Sequence, residues 1–99
     1  MFFMRQCSYE KAILLHGTEG SSQSCWLQWL GGALSSQQLQ VWIPDLPNAD
    51  NPNLEEWLNY VKNNSPFVID SNTIVVGHSA GAVLAIIIAQ FFEDKMIQS

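Results

Sequence analysis

The sequence feature that most constrains this fold is the pentapeptide Gly77-His78-Ser79-Ala80-Gly81 together with its flanking residues. It follows the β-branched run at residues 72–76 and opens onto the apolar run at residues 83–88. A strand, a G-x-S-x-G motif and a helix in this order are typical of a nucleophile elbow, whose tight turn strains the serine backbone and projects the hydroxyl above the sheet. Glycines suit both ends of the motif, because side chains there would collide with the neighbouring strand and helix. Ser79 is therefore the candidate nucleophile.

The rest of the chain alternates between short apolar runs and helix-like segments. Strands are expected at residues 12–15, 39–43 and 73–76, and helices after a cap at Ser24, near Asn53 and over residues 80–92. This β-α-β-α-β-α order predicts an α/β fold, a three-layer doubly wound parallel sheet with helices on both faces. We expect residues 1–99 to form a single domain, because no repeat or linker interrupts them.

Composition and charge exclude several classes of function. Hydrophobic residues make up 47% of the chain and charged residues 13%, which indicates a folded domain. A net charge of −5, with four basic residues far apart, argues against a nucleic-acid partner. Cys7 and Cys25 form neither a disulfide framework nor a metal-binding spacing, so we expect no metal or other cofactor and a reducing, cytoplasmic location.

The last predicted helix, residues 80–92, is apolar on every side. Gly81 and Gln90 interrupt it and it is too short for a membrane span, so a buried helix is expected and no membrane partner. Three strands and three helices cover only part of such a helix. Either a further layer, such as a protein partner, covers the remainder, or an apolar patch is exposed.

The residues around the elbow suggest where an oxyanion would be stabilised. The Ala80 N–H lies at the start of a helix, where an unpaired donor and the helix dipole favour the oxygen of a tetrahedral intermediate. A second donor is expected from the loop after the first strand, where Gly17 and Thr18 follow His16. His16 is a candidate for substrate contact, with the alternative that it bonds to backbone and shapes this loop.

Three tryptophans, Trp26, Trp29 and Trp57, have the helical spacing expected of core residues. Trp26 has a second possible role. It is close in sequence to the loop that carries His16 and Gly17, so it is also a candidate for lining a substrate pocket.

Activation of Ser79 requires a base that is itself oriented by a third group. The chain has two histidines, His16 and His78, and neither follows the serine, although elbow enzymes have the order serine, acid, histidine. His78 directly precedes the serine, and the turn directs its side chain elsewhere. Asp45 and Asp50 lie in a proline-rich loop, where turn formation is the default role and substrate contact the alternative.

Five motifs in order resemble a known family, the small α/β-hydrolases of the YdeN and retinoblastoma-binding protein 9 type. They are His16-Gly17 and residues 25–30, 44–48, 54–58 and 77–81, and the similarity runs from about residue 12 to about residue 92. The resemblance implies the N-terminal part of an α/β-hydrolase fold and a serine hydrolase acting on small esters or amides. It implies Ser79 as nucleophile, the Ala80 N–H in the oxyanion hole and a second donor at Gly17 or Thr18.

The same resemblance implies that this chain lacks two of the catalytic residues. Family members are nearly twice this length and carry their acid and histidine in the C-terminal half, so this chain is expected to be truncated and weakly active or inactive by itself. One alternative is a non-catalytic binding or interaction domain derived from a hydrolase. A flavodoxin-like nucleotide or flavin domain shares the alternating pattern, but no phosphate loop follows the first strand.

Overall fold

The computed structural model describes residues 9–98, with side chains described as far as residue 92. Its elements are β1 (Lys11–Leu15), α1 (Cys25–Ser35), β2 (Gln40–Trp42), α2 (Leu54–Asn64), β3 (Thr73–Gly77) and α3 (Ala80–Gln98). The predicted alternation of strands and helices is confirmed. β2 is shorter than predicted at both ends, and α3 continues beyond Phe92. The expectation for Cys7 lies outside the described residues.

The three strands form a parallel sheet in the order β2-β1-β3. In its centre, β1 pairs Ala12 with Val41 on one side and with Ile74 on the other. Both faces of β1 are buried, which explains why its sequence is a continuous apolar run rather than an alternating one.

Lys11 is the charged exception at the start of β1. Its ammonium donates to the carbonyl of Val68 and forms an ion pair with Asp70 at 2.9 Å. The Asp70 carboxylate and the Val68 carbonyl therefore compensate this largely buried charge at the amino ends of the strands, opposite the elbow.

Helices pack on both faces of the sheet, because successive strand residues point in opposite directions. On one face, Leu27 of α1 packs with Ala12, Leu14, Ile74 and Val76. On the other face, α2 and α3 contribute Trp57, Val61, Leu84, Ala85 and Ile88, which pack with Ile13, Leu15 and Val75. The prediction of an α/β fold with a doubly wound parallel sheet is confirmed.

For α1, the assignment of Trp29 to the core is wrong, and the expected cap at Ser24 is confirmed in position only. Trp29 is 73% exposed, because α1 buries only the side that carries Leu27 and Gly31. Ser24 occupies the N-cap position, but its side chain makes no capping hydrogen bond, and its backbone carbonyl accepts the Gln28 N–H instead. Trp57, by contrast, is fully buried as expected.

One side of α3 lies in the core and another is uncovered within the described part of the chain. Leu84, Ala85 and Ile88 are buried, whereas Val83 is 47% and Ile86 50% exposed. The apolar character of the helix therefore produces an exposed apolar patch. Over the described residues, no helix combines the length and apolar character needed to cross a membrane.

We predict that Gly77→Ala destabilises the protein by about 2 kcal/mol or more, because the new Cβ would overlap the Gly81 carbonyl at the β3–α3 turn. Gly32→Ala is the matched control. A Cβ at Gly32 meets no atom within 4 Å, so this exchange inside α1 should stabilise by roughly 0.5–1 kcal/mol. Urea unfolding measures both, and a Gly77→Ala variant as stable as the wild type contradicts the prediction.

Candidate active site

Ser79 lies in the turn that joins β3 to α3, and its side chain is exposed. Its φ is 58°, in the left-handed region that residues other than glycine rarely occupy. The turn closes because Gly77 passes the Gly81 carbonyl, and Gly81 passes the carbonyls of Leu15 and His16, without room for a Cβ. This is the backbone geometry that a nucleophile elbow requires, and the role of Ser79 as nucleophile stays a prediction.

The first turn of α3 leaves a backbone donor beside Ser79. The Gly81 N–H donates to the His78 carbonyl at 2.9 Å, and the Ala82 N–H donates to the Ser79 carbonyl at 2.9 Å. The Ala80 N–H is the first of the helix, where the helix itself provides no acceptor. It lies at the positive end of the helix dipole, as stabilisation of an oxyanion would require.

The loop between β1 and α1 (residues 16–24, the β1–α1 loop) brings Gly17 against the elbow. A Cβ on Gly17 would lie 2.7 Å from the His78 carbonyl oxygen and 2.8 Å from the Ser79 Cβ. Thr18, the next residue, is exposed. The structure therefore brings Gly17 together with His78 and Ser79, and only glycine allows this approach.

His16 is built into the fold at the start of this loop, with 2% of its side chain exposed. Its Nδ1 lies 2.9 Å from the Gly17 carbonyl, and the Leu46 N–H donates to its Nε2 at 2.9 Å. A carbonyl only accepts, so the bonding assigns the proton to Nδ1 and leaves Nε2 as an occupied acceptor. A polar contact between this ring and a substrate would require one of these bonds to break.

Asp45 joins the β1–α1 loop to the loop between β2 and α2 (residues 43–53, the β2–α2 loop). The Ser22 N–H donates to its Oδ1 at 2.7 Å, and the Ser22 hydroxyl donates to its Oδ2 at 2.9 Å. These two bonds hold the pKa of Asp45 below its ordinary value, although partial burial opposes them.

Sequence reasoning missed this role of Asp45, which it treated as a turn former. The available signal was topological. Because β1 and β2 are parallel neighbours, the loops that follow them emerge at the same edge of the sheet.

Trp26 lies beside the elbow rather than in the core. Its indole is 39% exposed and meets the exposed His78 ring edge to face, with 5.8 Å between the ring centroids. Within the described residues, no hydrogen bond joins Ser79 to His16 or His78. The structure thus places Trp26 against the residue that precedes the candidate nucleophile and provides no base from the two histidines.

The described side chains offer no metal centre, since no three His, Cys, Asp or Glu side chains among them are arranged to hold an ion. Cys25, the first residue of α1, is exposed and has a free thiol. Asp50 is exposed in the β2–α2 loop.

Comparison with known proteins identifies a family and a relative. Residues 12–99 match the profile of the family described as "Serine hydrolase". Over 72 residues the chain is 32% identical to YdeN of Bacillus subtilis (strain 168), a protein named as a hydrolase, covering 73% of this chain and 37% of YdeN. The crystal structure of the B. subtilis ydeN gene product superposes with a TM-score of 0.69 and 28% identity, covering 84% of this chain and 44% of that one. The chain spans less than half the length of the relative it matches.

We predict that Asp45→Asn removes part of the dependence of stability on pH. The folded state lowers the pKa of Asp45 below the value of 3.8, so its contribution to stability is complete above that value and is lost as the pH falls through the folded pKa. Urea unfolding should show Asp45→Asn less stable than the wild type at pH 7 by roughly 0.5 kcal/mol, because Asp45 is exposed and solvent screens its interactions. The difference should shrink at pH 3 and below.

Asp50→Asn is the control for this experiment, because it removes another exposed carboxylate from the same loop. Its free energy of unfolding at pH 7 should equal that of the wild type within about 0.5 kcal/mol. A constant difference between wild type and Asp45→Asn across the whole range would contradict the assignment.

Proposed function

Because the chain belongs to the serine hydrolase family, we propose that it acts on small esters or amides with Ser79 as its nucleophile. The observation that supports this proposal most directly is the left-handed backbone of Ser79 at a strand-to-helix turn, with Gly17 packed against it. A strained turn of this kind fixes the direction of the hydroxyl before substrate arrives.

In the proposed reaction, the Ser79 Oγ attacks the carbonyl carbon of the substrate, and the carbonyl oxygen takes up the negative charge. The Ala80 N–H and an N–H from Gly17 or Thr18 stabilise that oxygen. The alcohol or amine then leaves with a proton, and water hydrolyses the acyl group from the serine. These steps require no cofactor.

We place the activating histidine and its acid outside these ninety-nine residues. Both nitrogens of His16 are engaged, His78 contacts Trp26, and no histidine follows Ser79 in the sequence. The matched relative is also more than twice as long as the segment it shares with this chain. A cytoplasmic location is part of the proposal, because the two cysteines form no disulfide framework.

Trp26 is proposed to line the substrate side of the site. It is 39% exposed, and its contact with the His78 ring holds its indole against the residue that precedes Ser79. His16 would support the same side by shaping the β1–α1 loop, and it would contact substrate only after a rearrangement of its hydrogen bonds.

A second candidate function is a non-catalytic binding domain whose α3 is covered by a protein partner. The exposed Val83 and Ile86 favour it. Sedimentation of the purified chain distinguishes the two, because a stable monomer without a bound partner would remove the support for this alternative.

We predict that the ninety-nine-residue chain hydrolyses 4-nitrophenyl acetate feebly, about a thousandfold or more below an enzyme with a complete triad. After the protein-free reaction of imidazole with the ester is subtracted, imidazole as an external base should still raise the rate of the wild type, and Ser79→Ala should abolish that protein-dependent increase. Absorbance of 4-nitrophenolate measures the reaction. Robust turnover without imidazole would contradict the absence of a base, and an imidazole-dependent increase in Ser79→Ala as large as in the wild type would contradict the nucleophile.

We predict that Trp26→Ala weakens binding of an alkyl fluorophosphonate to the site, raising the concentration for half-maximal labelling rate several-fold. The physical reason is loss of apolar contact area beside Ser79. Trp29→Ala is the matched control, since Trp29 lies on the same helix, 73% exposed. Intact-mass kinetics with imidazole as external base compare the two variants, and equal effects would remove Trp26 from the site.

A further inference from the structure

Three connections tie the β1–α1 loop to the β2–α2 loop at the edge of the sheet that carries Ser79. The Leu46 N–H donates to the His16 ring at 2.9 Å, and the Glu19 N–H donates to the Ala49 carbonyl at 2.6 Å. Ser22 donates twice to the Asp45 carboxylate, at 2.7 and 2.9 Å. The β2–α2 loop therefore holds the loop of Gly17 at its beginning, middle and end.

From this arrangement we propose that Asp45 is a positioning residue for the reaction of Ser79. It acts through Ser22 and the β1–α1 loop, and it sets where the backbone donors of Gly17 and Thr18 stand relative to the nucleophile. The proposal rests on the proposed function, because it gives those donors the role of an oxyanion hole.

The position of Ser22 is transmitted to Gly17 through a short, constrained segment. The Gly20 N–H donates to the Gly17 carbonyl at 3.0 Å and closes a turn, in which Glu19 has a φ of 60°. Ser22 is buried, and its own carbonyl accepts a hydrogen bond from the Gln28 side chain in α1. A turn fixed at both ends leaves Gly17 and Thr18 little freedom to move away from Ser79.

The carboxylate of Asp45 suits this role because it offers two acceptor oxygens and no donor. Both Ser22 donors reach it, and each bond is strengthened by the charge. An asparagine of the same shape would place its Oδ1 at the Ser22 N–H and its NH₂ at the Ser22 hydroxyl, which would then have to accept instead of donate. Both bonds would lose the strengthening by the negative charge, and the hold on Ser22 would weaken.

Misplacement of catalytic groups by about 1 Å costs on the order of a hundredfold in rate when the geometry of attack is affected. A positioning role therefore predicts a loss in the rate of the chemical step. Direct contact between Asp45 and substrate, the alternative that the sequence left open, predicts a loss of binding instead.

The test uses the complete ninety-nine-residue chain, an alkyl fluorophosphonate and imidazole as external base. In the labelling reaction the Ser79 oxygen bonds to phosphorus, fluoride leaves, and the serine proton passes to imidazole. Intact-mass measurements over a range of probe concentrations give the maximum labelling rate and the concentration for half of that rate. Asp45→Asn should lower the maximum rate about tenfold or more and leave the half-maximal concentration within about twofold.

Two variants complete the design. Asp50→Asn, in the same loop, should change neither quantity. Ser22→Ala removes the hydroxyl bond and keeps the backbone bond to Asp45, so an intermediate loss of maximum rate is expected. If circular dichroism shows Asp45→Asn to be unfolded, Ser22→Ala decides the question, and a wild-type maximum rate in that variant overturns the proposal.

Other outcomes separate this proposal from the proposed function. A wild-type maximum rate in folded Asp45→Asn, with no labelling of Ser79→Ala, overturns the positioning role and leaves Ser79 as nucleophile. An altered half-maximal concentration with an unchanged maximum rate overturns it in favour of substrate contact. Equal labelling of wild type and Ser79→Ala overturns the proposed function itself.

Discussion

Close passage of backbone against backbone at the β3–α3 turn is the constraint on which the site depends. Gly77 and Gly81 have no Cβ, so the strand turns into the helix in contact with the end of β1. That contact holds Ser79 in the left-handed region and brings the chain after β1, at Gly17, against the serine. Sheet, helix and loop therefore meet at one point because three glycines leave room for them.

The polar side chains around this point serve mainly to support the loops. His16 accepts a hydrogen bond from the Leu46 N–H in the β2–α2 loop and donates one to the Gly17 carbonyl. These two bonds fix its tautomer and remove it from the candidates for a base. Trp57 packs against the His16 ring and donates to the Pro47 carbonyl at 2.6 Å, linking the core to the β2–α2 loop. Part of the rigidity of the site thus comes from the buried side chains of His16 and Trp57.

Patterns local in sequence predicted much of the fold. The apolar run of β1, the glycine spacing of the elbow and the stripe of α2 each depend on neighbouring residues, and the structure has a strand, a tight turn and a helix there. The helix α3 extends to Gln98, beyond the apolar run at residues 80–92, because good helix formers extend a helix without an apolar pattern.

The contacts between the two loops were beyond sequence reasoning. Ser22 and Asp45 are 23 residues apart, and no periodicity connects them. Trp29 was assigned to the core because its spacing fits a helical stripe, yet α1 buries only one of its sides. Spacing identifies a face of a helix, and only the neighbouring elements determine whether that face is covered.

The left-handed backbone at Ser79 has a consequence for which chemistry this turn accommodates. A residue with a second heavy atom on its Cβ is strongly disfavoured at a φ of 58°, so threonine is a poor substitute although it carries the same hydroxyl. Cysteine has a single γ atom and fits the same backbone. The backbone conformation therefore favours nucleophilic residues whose Cβ is unbranched, whatever their reactivity.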